Sequence, residues 1–119
     1  MPATMDFDRL AHAWIAAWNS RDLERILVHY AEEVELISPF VVQLTGRTDG
    51  TVRGKTELRD YFGRGLAAYP ALHFEFVRVY SGTNHCILEY RSVDDLRVAE
   101  MMEFDESGKV RRTVAHYFG

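Results

Sequence analysis

The chain has 119 residues, 47% of them hydrophobic and 13% aromatic, with a net charge of −4. That length fits a single domain, residues 1–119, with enough apolar mass for a packed core. No apolar run approaches the roughly 18 residues of a membrane span, and the mixed charges leave no basic stripe of the kind a nucleic-acid surface needs. Lys109, Arg111 and Arg112 come nearest to one and read as a solvated strand end. The opening MPATMDFDRL is acidic and lacks the basic-then-apolar pattern of an export signal. Cys86 is the lone cysteine, so no intrachain disulfide can form. A cytoplasmic location and a buried core thiol are expected.

Residues 6–19 read as the first helix, because Phe7, Leu10, Ala11, Trp14, Ala17 and Trp18 recur at the spacing of one helical face. Thr4 or Asp6 can cap its start. Asn19-Ser20 breaks the run, and Ser20 is placed to cap a second helix over Arg21–Tyr30. Leu23, Ile26, Leu27 and Tyr30 form the apolar face of that helix. Glu33–Ile37 reads as a short strand stopped by Pro39. Residues 38–53 follow as an irregular connection, either a lid or a plain crossover. Phe40, Val41, Val42 and Leu44 are too apolar for free solvation, so part of it should dock on the body or on a partner. The third helix spans Thr56–Tyr69, with Leu58, Tyr61, Phe62, Gly65, Leu66 and Tyr69 at helical spacing and Pro70 as its stop.

From Leu72 onward the period becomes two. Leu72–Tyr80, Cys86–Val93, Leu96–Phe104 and Val110–Phe118 read as four strands joined by short turns, hence as antiparallel hairpins. The order α-α-β-α-β-β-β-β predicts an α+β fold with three helices on one face of a curved antiparallel sheet.

Glu100 is the leading candidate for chemistry. Strand alternation sets it on one side with Val98, Met102 and Phe104. If that side lines a pocket, desolvation raises its pKa and the group can donate or relay a proton. The other reading pairs it with Arg91, Arg97 or a histidine as a structural ion pair. A two-residue turn at Asp94-Asp95 sets Arg91 and Glu89 beside Glu100, and a connection one residue longer sets Tyr90 there. The second is slightly favoured, and a slip of one residue exchanges them. Parity in the last strand favours Tyr117 over His116 as the inward residue. The five histidines show no metal-ligand spacing, and no phosphate-binding glycine loop or nucleophile elbow occurs. Neither a metal nor a cofactor is expected.

Several landmarks carry a family resemblance. They are Ala17-Trp18-Asn19, Asp22-Leu23-Glu24, Tyr30-Ala31-Glu32, Gly54-Lys55 and the closing FDESGKV of residues 104–110. In this order and spacing the chain resembles the nuclear transport factor 2-like superfamily and, within it, the SnoaL-like group. The resemblance implies a cone, in which a bent sheet wraps a long N-terminal helix and leaves a pocket at the wide end. Members include ketosteroid isomerases, polyketide cyclases, dehydratases, epoxide hydrolases and proteins without catalysis. Against the ketosteroid isomerases, the base position falls on Ser38 in Ser38-Pro39-Phe40. The helical oxyanion tyrosine falls on Trp14, and the protonated aspartate falls on Glu100, four residues before Phe104. A serine hydroxyl is too weak a base to take a carbon-bound proton unaided, so acid chemistry is kept only at Glu100.

The expected ligand-binding set is Trp14, Trp18, Tyr30, Ser38, Phe40, Tyr61, Phe62, Tyr90, Met102 and Tyr117, with Glu100 as the catalytic candidate. Trp18 also reads as plain core packing, whereas Trp14 is expected to meet the ligand through its ring face or N–H. Two classes stay open. One is a cofactor-free acid-base isomerase, cyclase or dehydratase acting on an apolar metabolite. The other is a non-catalytic ligand-binding or dimerisation domain. A sheet face that the helices leave uncovered predicts a homodimer through the sheet.

Overall fold

The computed structural model describes residues 5–118. Helix α1, Phe7–Ser20, starts where the Asp6 carboxylate accepts from the Arg9 N–H at 3.1 Å. Its inner face buries Phe7, Ala11, Trp14, Ala17 and Trp18, as the spacing predicts, together with Ile15, while Leu10, expected on that face, is half-buried. Ser20 does not cap the second helix. Its hydroxyl is turned back onto the Ala17 carbonyl, and Asp22 caps instead, accepting from the Glu24 and Arg25 N–H groups. The result, α2, covers only Leu23–Leu27. Tyr30, expected at the end of that helix, instead opens strand β1, Tyr30–Ile37. It stands opposite Val110, whose N–H donates to the His29 carbonyl, so sheet pairing takes the backbone that helix extension would need.

The connection over 38–53 is not irregular. The Ser38 hydroxyl accepts from the Phe40 N–H at 3.2 Å and caps a short helix, α3, Pro39–Thr45. Pro39 sits in its first turn, where a missing N–H costs nothing. Gly46, at φ 76°, ends it in the left-handed conformation that glycine adopts freely. Strand β2, Thr51–Arg53, then pairs antiparallel with β1. Of the four apolar residues, Val41 is fully buried, Phe40 and Leu44 pack on the core, and Val42 is exposed. Helix α4, Lys55–Ala68, follows and stops before Pro70.

Four strands complete the sheet: β3, Glu75–Ser81; β4, His85–Arg91; β5, Arg97–Phe104; and β6, Val110–Tyr117. The spatial order is β2-β1-β6-β5-β4-β3, antiparallel throughout except for the parallel β1/β6 pair. The α+β class and the single sheet are as expected, with α3 and β2 added. Register breaks in β1, in β3 between Phe76 and Arg78, and in β5/β6 near Phe104 bend the sheet.

The first of the four strands was expected from Leu72 but starts at Glu75. The Asn19 side chain has taken the backbone of Phe74. Its amide donates to the Phe74 carbonyl at 2.9 Å, and its oxygen accepts from the Phe74 N–H at 2.7 Å. Asn19 thus acts as one residue of strand partner on the end of α1. It holds the Phe74 ring against Trp14, Trp18 and Tyr90. Asn19→Ala is expected to lower the unfolding free energy by about 1–3 kcal/mol, the net worth of two hydrogen bonds. Urea denaturation tests this, and unchanged stability would show that the clamp is not needed.

Candidate functional site

The length of one turn decides which side chains meet. Val93–Asp95 forms a three-residue turn at the tip of the connection between β4 and β5, with Asp94 and Asp95 at φ 55° and 58°. It is closed by the Ser92 N–H donating to the Leu96 carbonyl at 2.8 Å. This places Arg91 opposite Arg97, Tyr90 opposite Val98 and Leu88 opposite Glu100. Tyr90 and Glu100 therefore share the inner face. Arg91 points outward and meets Asp95 at 3.3 Å. On β6, Thr113, Ala115 and Tyr117 stand opposite Met102, Glu100 and Val98, so Tyr117 faces in and His116 is exposed on the other side.

Glu100 is 5% exposed. The Tyr90 hydroxyl donates to its Oε1 at 2.6 Å, and the Thr113 hydroxyl to its Oε2 at 2.7 Å. The ion-pair reading fails, because Arg91 is engaged elsewhere and Arg97 and His116 lie on the outer face. Burial pushes the Glu100 carboxyl up, while the two hydroxyls and the more distant His116 pull it back part of the way. In the neutral acid one of the two hydrogen bonds runs in the opposite sense, with the carboxyl as donor. Burial and the neighbouring Glu100 also push the Tyr30, Tyr61, Tyr90 and Tyr117 hydroxyls up, so all four stay neutral donors near pH 7. Burial raises the Cys86 thiol to about 12, which makes it an inert core thiol.

These groups border a cavity of about 80 Å³. Its floor is buried and includes Trp14, Trp18, Tyr30, Ser38, Tyr61, Phe62, Tyr90 and Glu100. Its rim is half-buried and includes Phe40 of α3, Tyr69 after α4, Val93 of the β4–β5 turn and Tyr117. Of the residues expected there, only Met102 is absent. It lies one inward step along β5 toward Phe104, whose ring packs on Phe7 at 5.6 Å, so the start of α1 fills that end.

Leu36, Leu44, Gly65, Tyr69, Leu72, Phe74, Ser92, Val93 and Ala115 also line the cavity and were not anticipated. Tyr69 and Leu44 could have been found from the helical spacing that carries Phe62 and Phe40. Phe74 could not, because its placement depends on Asn19.

The polar atoms have distinct partners. Trp14 donates its indole N–H to the Tyr30 hydroxyl at 2.8 Å, and its ring stacks on Phe74 at 5.6 Å. The Trp18 indole nitrogen is buried without a partner. Ser38, besides capping α3, lowers the Tyr61 and Tyr117 hydroxyls against the effect of burial. Among the described residues, no three His, Cys, Asp or Glu side chains converge as metal ligands.

The SnoaL-like domain family model matches residues 11–115. Among solved structures, the chain is similar to a SnoaL-like protein of unknown function from Burkholderia thailandensis. The identity is 35% and the TM-score 0.93, with 100% of both chains covered. A protein of unknown function with a cystatin-like fold from Methylobium petroleophilum matches at TM-score 0.75 and 18% identity, over 98% of this chain and 80% of that one. A candidate isomerase of the SnoaL-like family from Agrobacterium tumefaciens matches at TM-score 0.75 and 17% identity, over 93% and 96%. The last two show the fold alone. No curated protein matches the chain.

The state of Glu100 sets a pH dependence. Its folded pKa lies above the ordinary 4.5. Between 4.5 and the folded value, the native state holds more protons than the unfolded chain. Stability is therefore fully present below that window and falls as pH rises through it, by up to about 1.4 kcal/mol per pH unit. Glu100→Gln, measured by urea unfolding from pH 4 to 8, is expected to remove this decline and to be the more stable protein at pH 8. A Gln variant less stable than wild type at pH 8 would mean that the native carboxylate is stabilised in its charged form.

Proposed function

The chain belongs to the SnoaL-like domain family, within the nuclear transport factor 2-like superfamily, and we propose that its aromatic cavity binds a small apolar metabolite to which Glu100 presents a proton. The observation that carries this reading is a buried carboxyl with no cation beside it, held by two hydroxyls at 2.6 and 2.7 Å in an aromatic cavity. Burial without a counter-charge favours the neutral acid, which is the form able to deliver a proton.

Glu100 is the one carboxyl among the lining residues, and the tyrosines there hold their protons too tightly to exchange roles with it. A single carboxyl suffices for dehydration. It gives its proton to a leaving hydroxyl, which departs as water, and the carboxylate so formed takes the proton from the adjacent carbon. The carbon–hydrogen electron pair becomes the new double bond, and the acid is restored. Tyr90 and Thr113 hold the carboxyl in place through both steps.

The second reading, a binding domain without catalysis, draws support from the small cavity and from Ser38 at the position where isomerase relatives carry a base. The two separate in one experiment. Small cyclic β-hydroxy ketones such as 3-hydroxycyclohexanone are incubated with the protein, and loss of water is followed by NMR. Catalysis by Glu100 predicts acceleration of about 10²-fold or more, lost in Glu100→Gln. Saturable binding without acceleration would favour the non-catalytic reading.

A homodimer through the sheet is part of the same proposal. On the outer face, Ile37, Val114, Met101, Ile87 and Tyr80 stand opposite one another in succession, forming an apolar row across five strands. Ile87 is 40% and Tyr80 53% exposed. A neighbouring row, His85, Glu103, Arg112, Glu35 and Arg53, is charged and would rim such a contact. Light scattering at tens of micromolar is expected to give twice the chain mass, and Met101→Glu to give a monomer of unchanged circular dichroism. A wild-type monomer would count against pairing. No helix among the described residues is long and apolar enough to cross a membrane. The unreactive lone thiol is in keeping with a cytoplasmic setting.

A further inference from the structure

The two tryptophans of α1 differ in what their N–H groups do. Trp14 is satisfied by the Tyr30 hydroxyl at 2.8 Å. Trp18 is 6% exposed, lines the cavity, and keeps its buried indole N–H without a hydrogen-bond partner in the protein. Among the described residues it is the single buried side-chain polar atom in that condition. Buried donors are nearly always paired, so one that borders a cavity points to an acceptor that enters from outside.

Tyr30 supplies a second donor. Its hydroxyl oxygen accepts from Trp14, and none of the described hydrogen bonds uses its own proton. Accepting a bond strengthens a hydroxyl as a donor. Trp18 and Tyr30 are neighbours on one side of the cavity: both rings meet Phe62, at 4.7 and 5.3 Å, and Trp14, which bonds Tyr30, lies ring to ring 6.1 Å from Trp18. Both residues line the cavity floor, each with a donor that no described hydrogen bond uses.

We propose that the Trp18 N–H and the Tyr30 O–H form a donor pair that holds the acceptor oxygen of a neutral, planar carbonyl compound. This rests on the cavity being a ligand site, and it adds the ligand's functional group. A carbonyl oxygen offers two lone pairs and brings no proton that would need an acceptor of its own. The ligand is neutral because no Lys, Arg or His lines the cavity, and an anion there would be desolvated beside Glu100. It is planar because Trp14, Trp18, Phe62, Phe74 and Tyr90 form the walls. A volume of about 80 Å³ is roughly the space of two to three waters at about 30 Å³ each, which admits one ring at most and not a fused system.

The chain has 2 tryptophans, so a nitrogen-15 spectrum of the intact protein has one indole signal for each. The signals are assigned from Trp14→Phe or Trp18→Phe, whichever folds. Acetophenone and ethylbenzene, which differ in the carbonyl, are titrated separately. The Trp18 indole proton is expected to move downfield with acetophenone well beyond the ring-current change that ethylbenzene causes, with Trp14 moving less. Tyr30→Phe should weaken acetophenone roughly 3- to 10-fold and leave ethylbenzene unchanged. If both compounds bind and move Trp18 equally, or if the carbonyl-specific shift falls on Trp14, the donor pair is wrong while the cavity stands as a ligand site. If neither compound binds, the ligand-site reading fails and the donor pair fails with it.

Discussion

The arrangement that the rest of the structure depends on is one carboxyl held by hydroxyls from both neighbouring strands. Glu100 on β5 is bonded by Tyr90 from β4 and Thr113 from β6, with no charge to balance it. Each of these residues is 5% exposed or less, so the network is almost wholly out of water. Buried polar groups are costly when unpaired and specifying when paired. The bonds cross-link the three central strands on their inner face and fix the register in which Tyr90, Glu100 and Thr113 point inward together. A one-residue slip would expose all three and bury Glu89, Arg91 and Arg112 in their place.

Around this network the packing is aromatic. Trp14 contacts Phe74, Tyr90 and Trp18, and Trp18 in turn meets Phe62 at 4.7 Å. Large rings fill space without a charge, so the environment of Glu100 stays apolar, and burial there pushes its carboxyl above the ordinary range. The same rings are rigid and leave a gap where they do not interlock, and the cavity occupies that gap. Asn19 and α3 set its limits. Asn19 holds Phe74 against the indoles, and α3 brings Phe40 over the mouth, where it meets Tyr69 and Tyr117 at 6.1 and 5.0 Å.

The cavity draws its polarity almost wholly from neutral groups. Phenols, indoles, two serines and one carboxyl line the cavity, and no lysine, arginine or histidine is among them. The charged residues are kept outside, paired across strands on the outer sheet face, as Arg112 with Glu35 at 3.2 Å. Inside and outside of one sheet thus follow from alternation along each strand, with the Glu100 network on one face and apolar and charged rows on the other.

Periodicity alone carried much of this. The inner face of α1, the α4 spacing and the strand alternation from Phe74 onward are direct records of which side chains leave water, and they determined the α+β class. They also placed Glu100 on an apolar face with Met102 and Phe104, whereas the pocket, and Trp14 and Ser38 in it, are expectations from the family resemblance. Local pattern could not decide what depends on pairing between distant segments. Tyr90 rather than Arg91 faces inward because the turn closed between Ser92 and Leu96 has three residues, a choice settled by ladder pairing. Tyr30 left the second helix because β6 claimed its backbone. Residues 38–53 read as a loop because α3 is short and begins on a proline, and both features resemble a break until Ser38 is seen to cap it. The difference between Trp14 and Trp18 is tertiary as well. The two lie one turn apart on the same face, and only the position of the Tyr30 hydroxyl, brought in from β1, satisfies one indole and leaves the other free.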